Sequence, residues 1–343
     1  MLPRSSRAAP GLCVQFRAIP RQVRSSRNWR AAADFVRWSA PDEPHVAQAL
    51  ASMHRRPRVA LATYAGAPTL SRDDELLACA LATLGIDALP AVWSSDTVRW
   101  QEFDAIVIRS CWDYHLQIGL FHAWLAYLDS ITVPVWNATD IVRWNSNKRY
   151  LLDLAARGIA TIPTELVRGA TSSGVERIAA VRAWPAFVVK PAVSASGHET
   201  HSFHAALSAR DRAVIDRVAS LGEILVQPFA PEVRRDGEWS LTFVEGVFSH
   251  ATLKRAAAGE FRVQAEHGGS DGPIVPSDAV VRQAECALLT LPETPLYARV
   301  DGILRDGAFL LMELELIEPN LYLENDSRAA VRLAAAIADR LPG

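Results

Sequence analysis

The chain has 343 residues, half of them hydrophobic and 22% charged, enough to bury more than one core and to build two or three α/β units. A formal net charge of -2 and a pI near 6.5 give no global field for nucleic acid or anionic lipid, and no apolar run reaches the length of a membrane span. Cys13, Cys79, Cys111 and Cys286 lie far apart, without the paired spacing of a zinc or redox site, and read as reduced thiols of a cytoplasmic protein.

Residues 1–52 differ from the rest of the chain. Up to Ala33 they carry seven arginines, no acid and no regular apolar period. That composition suits a transit peptide or a nucleic-acid-binding arm. Met53, however, stands just before the first strong strand, so the segment is expected to be a disordered extension or a mis-assigned start.

From Arg58 the pattern becomes regular. RVALATY predicts a short buried strand, SRDDELLACALATLG an amphipathic helix closed by Gly85, and AVW and FDAIVIRS two further strands. LQIGLFHAWLAYLDS and VPVWN add a helix and a strand, which makes residues 58–137 an open, mostly parallel α/β unit. Ligands of such units bind beyond the carboxyl ends of the strands, where Arg109 falls, followed by Trp112, Asp113 and Tyr114. A surface arginine beside a packed aromatic corner explains the same residues equally well.

RWNSNKRYLLDLAARG predicts a helix capped at Asn145 or Ser146 and ending near Gly158, with Lys148 in its first turn. A cation there opposes the helix dipole unless an anion such as phosphate comes to the same end. WPAFVVKPAVSASGHE then predicts a strand ending at Lys190 and a loop of small residues containing Gly197. A lysine there can neutralise phosphates while the loop closes over them. GEILVQPFAPEV runs into Gln227, Pro228 and Phe229, an edge able to hold a flat heterocycle, with Glu232 within reach of sugar hydroxyls.

Further on, EWSLTFVEGVFSHATLKR reads as a hairpin through Glu245 and Gly246 that delivers Lys254 and Arg255, and GEFR places Arg262 in an irregular segment. Such cations stabilise charge on a transferring phosphoryl group. YARVDGILRDGAFLLMELELIEPN reads as a second hairpin with a three-residue loop through Gly307. That register puts Arg299 opposite Glu313, and Arg299, Asp301, Glu313 and Glu315 on one face. Like charges on one buried face call for compensation, and magnesium supplies it through carboxylate and phosphate oxygens.

The order of Lys148, Lys190, the LVQPF edge, KR, GEFR, VDG and MELE resembles the ATP-grasp superfamily over roughly residues 58–330. Its glutathione-synthetase-like and ribosomal-protein glutamate ligase branch is the nearest broad group. IRSCWDY, WNSNKRYL, SHATLKR, GEFRVQAEHGG and ELELIEP look most like the D-cycloserine-forming cyclo-ligases. The resemblance implies an N-terminal parallel α/β unit at 53–140. It also implies a two-part ATP-grasp fold at 141–343, with a phosphate-loop lobe at about 141–228 and a metal and catalytic lobe at about 229–343.

By the same resemblance, Lys148 and Lys190 bind ATP phosphates, Gln227 to Phe229 form the adenine hinge, and Glu232 meets the ribose. Arg262 steadies the transferred phosphate, helped by Lys254 and Arg255. Asp301, Glu313 and Glu315 hold magnesium, or manganese in its place; apart from the resemblance, Arg109 and Arg299 are expected, from their positions, to contact substrate. Glu315 stands where relatives commonly carry asparagine, Gln264 likewise, and Glu238 and Ser240 replace an aspartate and an arginine. The implied activity joins a small-molecule acceptor to an amine, or closes a ring when one molecule carries both, in a monomer, dimer or tetramer. A catalytically silent ATP-binding regulator would share the fold.

Overall fold

The computed structural model describes residues 55–264 and 267–342, so the expectations for residues 1–52 lie outside the described residues. Arg58–Thr63 (β1) is buried along nearly its whole length, as the centre of a parallel sheet requires. Arg72–Thr83 (α1) comes next, started by Ser71, whose hydroxyl accepts from the Asp74 amide at 3.2 Å. Asp87–Val92 (β2), Ala105–Ser110 (β3) and Val135–Trp136 (β4) complete an all-parallel sheet in the order β2-β1-β3-β4. Ile118–Asp129 (α2) buries Phe121, Trp124 and Leu125 against it.

The single helix expected around Lys148 is two short ones, Thr139–Asn145 (α3) and Tyr150–Ala156 (α4). Asn145 ends the first and caps nothing. Its side chain instead meets a segment distant in the sequence, donating to the Leu314 carbonyl at 2.7 Å and accepting from the Leu316 amide at 3.0 Å. Lys148 thus sits in the break, with its own amide bonded to the Ala192 carbonyl at 2.7 Å.

Glu165–Val167 (β5), Ala186–Pro191 (β6), His201–His204 (β7) and Ile224–Pro228 (β8) form an antiparallel sheet in the order β5-β8-β6-β7. Ser172–Val181 (α5) and Ala209–Ser220 (α6) cover it through Val175, Ile215 and Val218. After Glu232–Arg235 (α7) a larger antiparallel sheet is built from Glu238–Val244 (β9), Val247–Arg255 (β10), Ser270–Ile274 (β11), Tyr297–Arg305 (β12) and Ala308–Glu315 (β13). Asp278–Leu288 (α8) packs on it, and Ala329–Arg340 (α9) returns to α1 through Leu333 and Ile337. The expected mixed architecture, a parallel α/β unit followed by two antiparallel sheets with their covering helices, is therefore present.

The hairpin of β12 and β13 departs from the expected register. Arg305 pairs with Ala308, leaving a two-residue turn of Asp306 and Gly307 at φ +52 and +79, the left-handed pair of a type I′ turn. Such a turn alone would turn Asp301 and Glu313 to opposite faces. Met312 lies unpaired in a β-bulge between the pairs Gly302–Leu311 and Asp301–Glu313, and the extra residue restores the shared face. Arg299 consequently faces Glu315, not Glu313.

Candidate active site

The two antiparallel sheets and the loop after β3 enclose a cavity of about 310 Å³. Lys190, at the end of β6, donates to Glu313 Oε1 at 2.6 Å, and Lys148 donates to Glu313 Oε2 at 3.2 Å. Both lysines are nearly buried and line the cavity beside the loop of Ser194, Ala195, Ser196 and Gly197. Gly197 sits at φ +66, a left-handed conformation that favours glycine, and faces the side chains of Arg262 and Gln264.

Gln227, Pro228 and Phe229 form the opposite wall. Gln227 is fixed by its amide to Thr164 Oγ1 at 2.8 Å, and Phe229 packs edge-on against Phe261 at 6.0 Å with Arg234 over its ring. Glu232 is not part of this wall. It is buried against Arg305, which donates to its two oxygens at 2.7 and 3.0 Å, and so offers nothing to a ribose in this arrangement.

Arg262 and Gln264 line the mouth, and Arg262 is held by Glu260 at 2.7 Å. Arg262 Nε and Gln264 Oε1 are buried without a partner among the described residues, which is costly for a closed core and ordinary for a ligand site. Arg255 does not join them: it is exposed, because alternation along β10 sends it away from the face that Lys254 occupies.

The acids are deeper and more entangled than a bare triad. Asp301 accepts from Ser240 at 2.7 Å, Lys254 at 3.0 Å and Arg299 at 2.8 and 2.9 Å. Lys254 also reaches Glu238 at 2.5 Å, and Arg299 pairs with Glu315. Burial alone would raise the Asp301 carboxyl, but Arg299 and then Lys254 hold it at about 2. Glu313 likewise lies well below the usual carboxylate range, burial being outweighed by Lys148 and Lys190. Burial wins at Glu315, pushed up to about 7 despite Arg299, with Asp301 and Glu313 adding to the rise.

Among the described residues no group of acids, histidines or cysteines forms a ready metal cage. The donor set nevertheless fits a hard dication in its chemistry. Glu313 and Glu315 present half-buried carboxylates to one cavity, beside cations whose natural partners are phosphates. Asp301 is the exception, since its oxygens are already saturated by contacts from Ser240, Lys254 and Arg299.

Arg109 is the other correction. It lies at the end of β3 as read, but is 1% exposed and lines no part of the cavity. Its Nε donates to Asp74 at 2.8 Å, a second nitrogen reaches the Pro319 carbonyl at 3.3 Å, and the guanidinium stacks over Tyr297 at 5.0 Å. Trp112 and Tyr114 do line the cavity. Sequence reasoning missed Glu318, Asn320 and Tyr322, which lie just after β13 and close the site. Their one sequence signal was the acid of the EPN run just after the metal strand.

Residues 59–137 match the family model for the N-terminal domain of D-cycloserine synthetase DcsG. The cycloserine biosynthesis protein DcsG of Streptomyces lavendulae is 33% identical over 302 residues, covering 82% of this chain and 98% of that protein. The chain belongs to the DcsG family. A crystal structure of D-cycloserine synthetase DcsG superposes with a TM-score of 0.75 at 31% identity, covering 83% of this chain and 100% of that one. The ATP-grasp ligase PsnB, solved with a minimal precursor variant, Mg and ADP, gives 0.55 at 14% identity over 83% of this chain and 98% of that one, a likeness of fold. This DcsG-family chain is accordingly an enzyme with the fold of the ATP-grasp ligases.

Proposed function

We propose that this DcsG-family chain is an ATP- and magnesium-dependent cyclo-ligase. It activates a carboxylate or ureido group by phosphorylation for attack by an amine of the same molecule, and activation of a carboxylate for attack by an aminooxy nitrogen gives D-cycloserine or a close analogue as product. The observation that carries the reading is the meeting of Lys148 and Lys190, from separate segments, on Glu313 at the floor of one cavity. Two lysines on one carboxylate are a resting arrangement. Incoming phosphates can take the lysines and leave the acid for a metal.

The residues divide the work by position. Gln227 to Phe229, with Phe261, offer an apolar slot for the base. Lys148, Lys190 and Arg262 surround the space for the phosphates, and the loop from Ser194 to Gly197 shields it from water. Glu313 and Glu315 would hold magnesium, which when bound screens phosphate charge and orients the transferred group. Asp301 works from behind by fixing Lys254 and Arg299 toward the acceptor. The acceptor oxygen takes the γ-phosphoryl group and ADP leaves. The amine then forms the new C–N bond as the C–O bond to phosphate breaks, releasing phosphate and a proton.

The test is ADP release by the purified chain with magnesium-ATP and a panel of amino acids and hydroxylamine-type amino-acid derivatives. Stimulation by an acceptor carrying both groups supports the reading. Tight ATP binding with no acceptor-dependent release would favour a silent regulator on the same fold.

A further inference from the structure

The SHATLKR run contributes Lys254 to the cavity, but its His250 is buried outside it. His250 begins a row across the larger sheet: on β10 it pairs with Thr242 of β9, and Thr242 pairs with Arg299 of β12. Ser249, just before it, lies unpaired where the register of β9 and β10 shifts. Alternation from His250 onward keeps it on the face that Lys254 occupies.

The segment after β13 lies over this row. Arg299 donates to the Asn320 carbonyl at 2.9 Å, and the Leu321 carbonyl accepts from His250 Nε2 at 2.8 Å and Thr242 Oγ1 at 3.2 Å. A carbonyl can only accept, so Nε2 carries the ring proton. Nδ1 then accepts from the Ser249 hydroxyl at 2.9 Å, whose oxygen takes Arg332 of α9 at 2.8 and 2.9 Å. Burial keeps the imidazole below its ordinary pKa, although the Leu321 carbonyl and Asp326 pull the other way, so the ring is neutral at neutral pH and this tautomer is held.

The bond controls the residue that follows. The Leu321 carbonyl and the Tyr322 amide share one rigid peptide plane, so the direction of that carbonyl sets φ of Tyr322. Tyr322 sits at φ +54 and ψ +44, a left-handed conformation that costs a non-glycine residue about 1 kcal/mol or more and persists only where the surroundings impose it. There its side chain lines the cavity, with the Arg299 guanidinium 5.6 Å from the ring centre. We infer that His250 is a positioning residue: without lining the cavity, it holds Tyr322 in the left-handed conformation that sets the ring against Arg299 on the acceptor side of the site. The inference rests on the proposed ligase function and extends it to a residue behind the cavity wall.

The experiment labels the full chain with 3-fluorotyrosine and follows the Tyr322 fluorine resonance, identified by its loss in Tyr322→Phe, through His250→Leu and His250→Gln. Glutamine can place an amide N–H where Nε2 stands, and leucine cannot. In parallel, D-cycloserine, the product of the proposed reaction, is titrated calorimetrically into each protein loaded with Mg-ADP. His250→Leu is expected to move the Tyr322 resonance and to weaken D-cycloserine binding about five- to tenfold, the scale of one buried hydrogen bond, with ADP affinity within about twofold of wild type. His250→Gln should restore both. Ser249→Ala, which removes the donor that fixes the tautomer, should move the resonance the same way by less, and it carries the test if His250→Leu does not fold.

An unmoved Tyr322 resonance in folded His250→Leu, or in Ser249→Ala in its place, would overturn the assignment. So would equal weakening of ADP and D-cycloserine, or a His250→Gln protein as impaired as His250→Leu, since either marks a histidine that only supports the fold. A wild type that binds Mg-ADP but not D-cycloserine counts against the ligase reading alone, and the fluorine resonance then decides the role of His250 by itself.

Discussion

Glu313 takes Lys190 on one carboxylate oxygen at 2.6 Å and Lys148 on the other at 3.2 Å. The acid separates two cations that would otherwise face each other across the cavity floor. Replacing it with the neutral isostere is predicted to cost twice. Without nucleotide, Glu313→Gln should lower stability by about 1–3 kcal/mol, less than for a fully buried pair because the carboxylate is partly exposed. With nucleotide, acceptor-dependent ADP release should fall at least ~100-fold, the scale of removing one preorganised charge from a phosphoryl-transfer site. Thermal unfolding and a coupled ADP assay check the two parts.

Arg109 and Asp74 form a buried pair remote from the nucleotide slot. Asp74 takes Ser110 and Ser71 on its other oxygen, while its neighbour Asp73 accepts the Leu321 and Leu323 amides at 2.6 and 2.8 Å. The pair therefore staples α1 to the segment after β13. Arg109→Met is predicted to lower stability by about 3–5 kcal/mol, because it strands a buried carboxylate, and to leave the KM for ATP within about twofold. A large rise in that KM with stability unchanged would return Arg109 to the binding site.

Lys254 and Arg255 are adjacent in β10 and predicted to behave oppositely. Lys254 bridges Glu238 and Asp301, so Lys254→Met leaves Glu238 uncompensated and Asp301 to Arg299 alone, and should reduce turnover at least ~100-fold. Arg255→Ala, on the exposed side, should stay within about twofold of wild type. Steady-state kinetics of the two variants side by side decides the matter.

His115 supplies a pH signature. It is half-buried with its ring centroid 5.2 Å from that of His198, on the small-residue loop, and its Nδ1 has no partner among the described residues. Burial, then His198 and Lys148, hold its pKa at about 4, with the Trp112 backbone and Asp113 opposing. Between about 6.5 and about 4 the unfolded chain binds a proton that the folded chain does not, so stability falls as pH drops through that window. At roughly 1.4 kcal/mol per pH unit, moving from pH 7 to pH 5 should cost roughly 1–2 kcal/mol through this residue. Denaturant titrations at both pH values should show His115→Asn losing less than wild type by that amount, and equal losses would contradict it.

How much of the site was legible in the sequence depends on how far apart partners lie. Lys148, Lys190, Gln227, Phe229, Arg262, Glu313 and Glu315 all reach the cavity because strand ends and short motifs place them there without help from distant residues. Arg109 and Glu232 were misplaced because their partners arrive from elsewhere: Asp74 lies 35 positions before Arg109, and Arg305 lies 73 after Glu232. Nothing local announces either pairing.

Arg255 is different, since alternation along a strand carrying Lys254 already implied that the two cannot share a face. The Met312 bulge is invisible in a linear pattern, because a bulge belongs to the ladder. The expected shared face of the acids survived only because the bulge offset a turn one residue shorter than anticipated.

The central claim, that ATP drives closure of a C–N bond in this cavity, is tested most directly by stoichiometry. Purified chain, magnesium-ATP and the acceptor that most stimulates ADP release should yield ADP and the dehydrated amide or ring product in equal amounts, measured by mass spectrometry. Both should vanish together in Glu313→Gln. ADP release that proceeds at the same rate without an acceptor, or that yields no C–N product, would contradict the account.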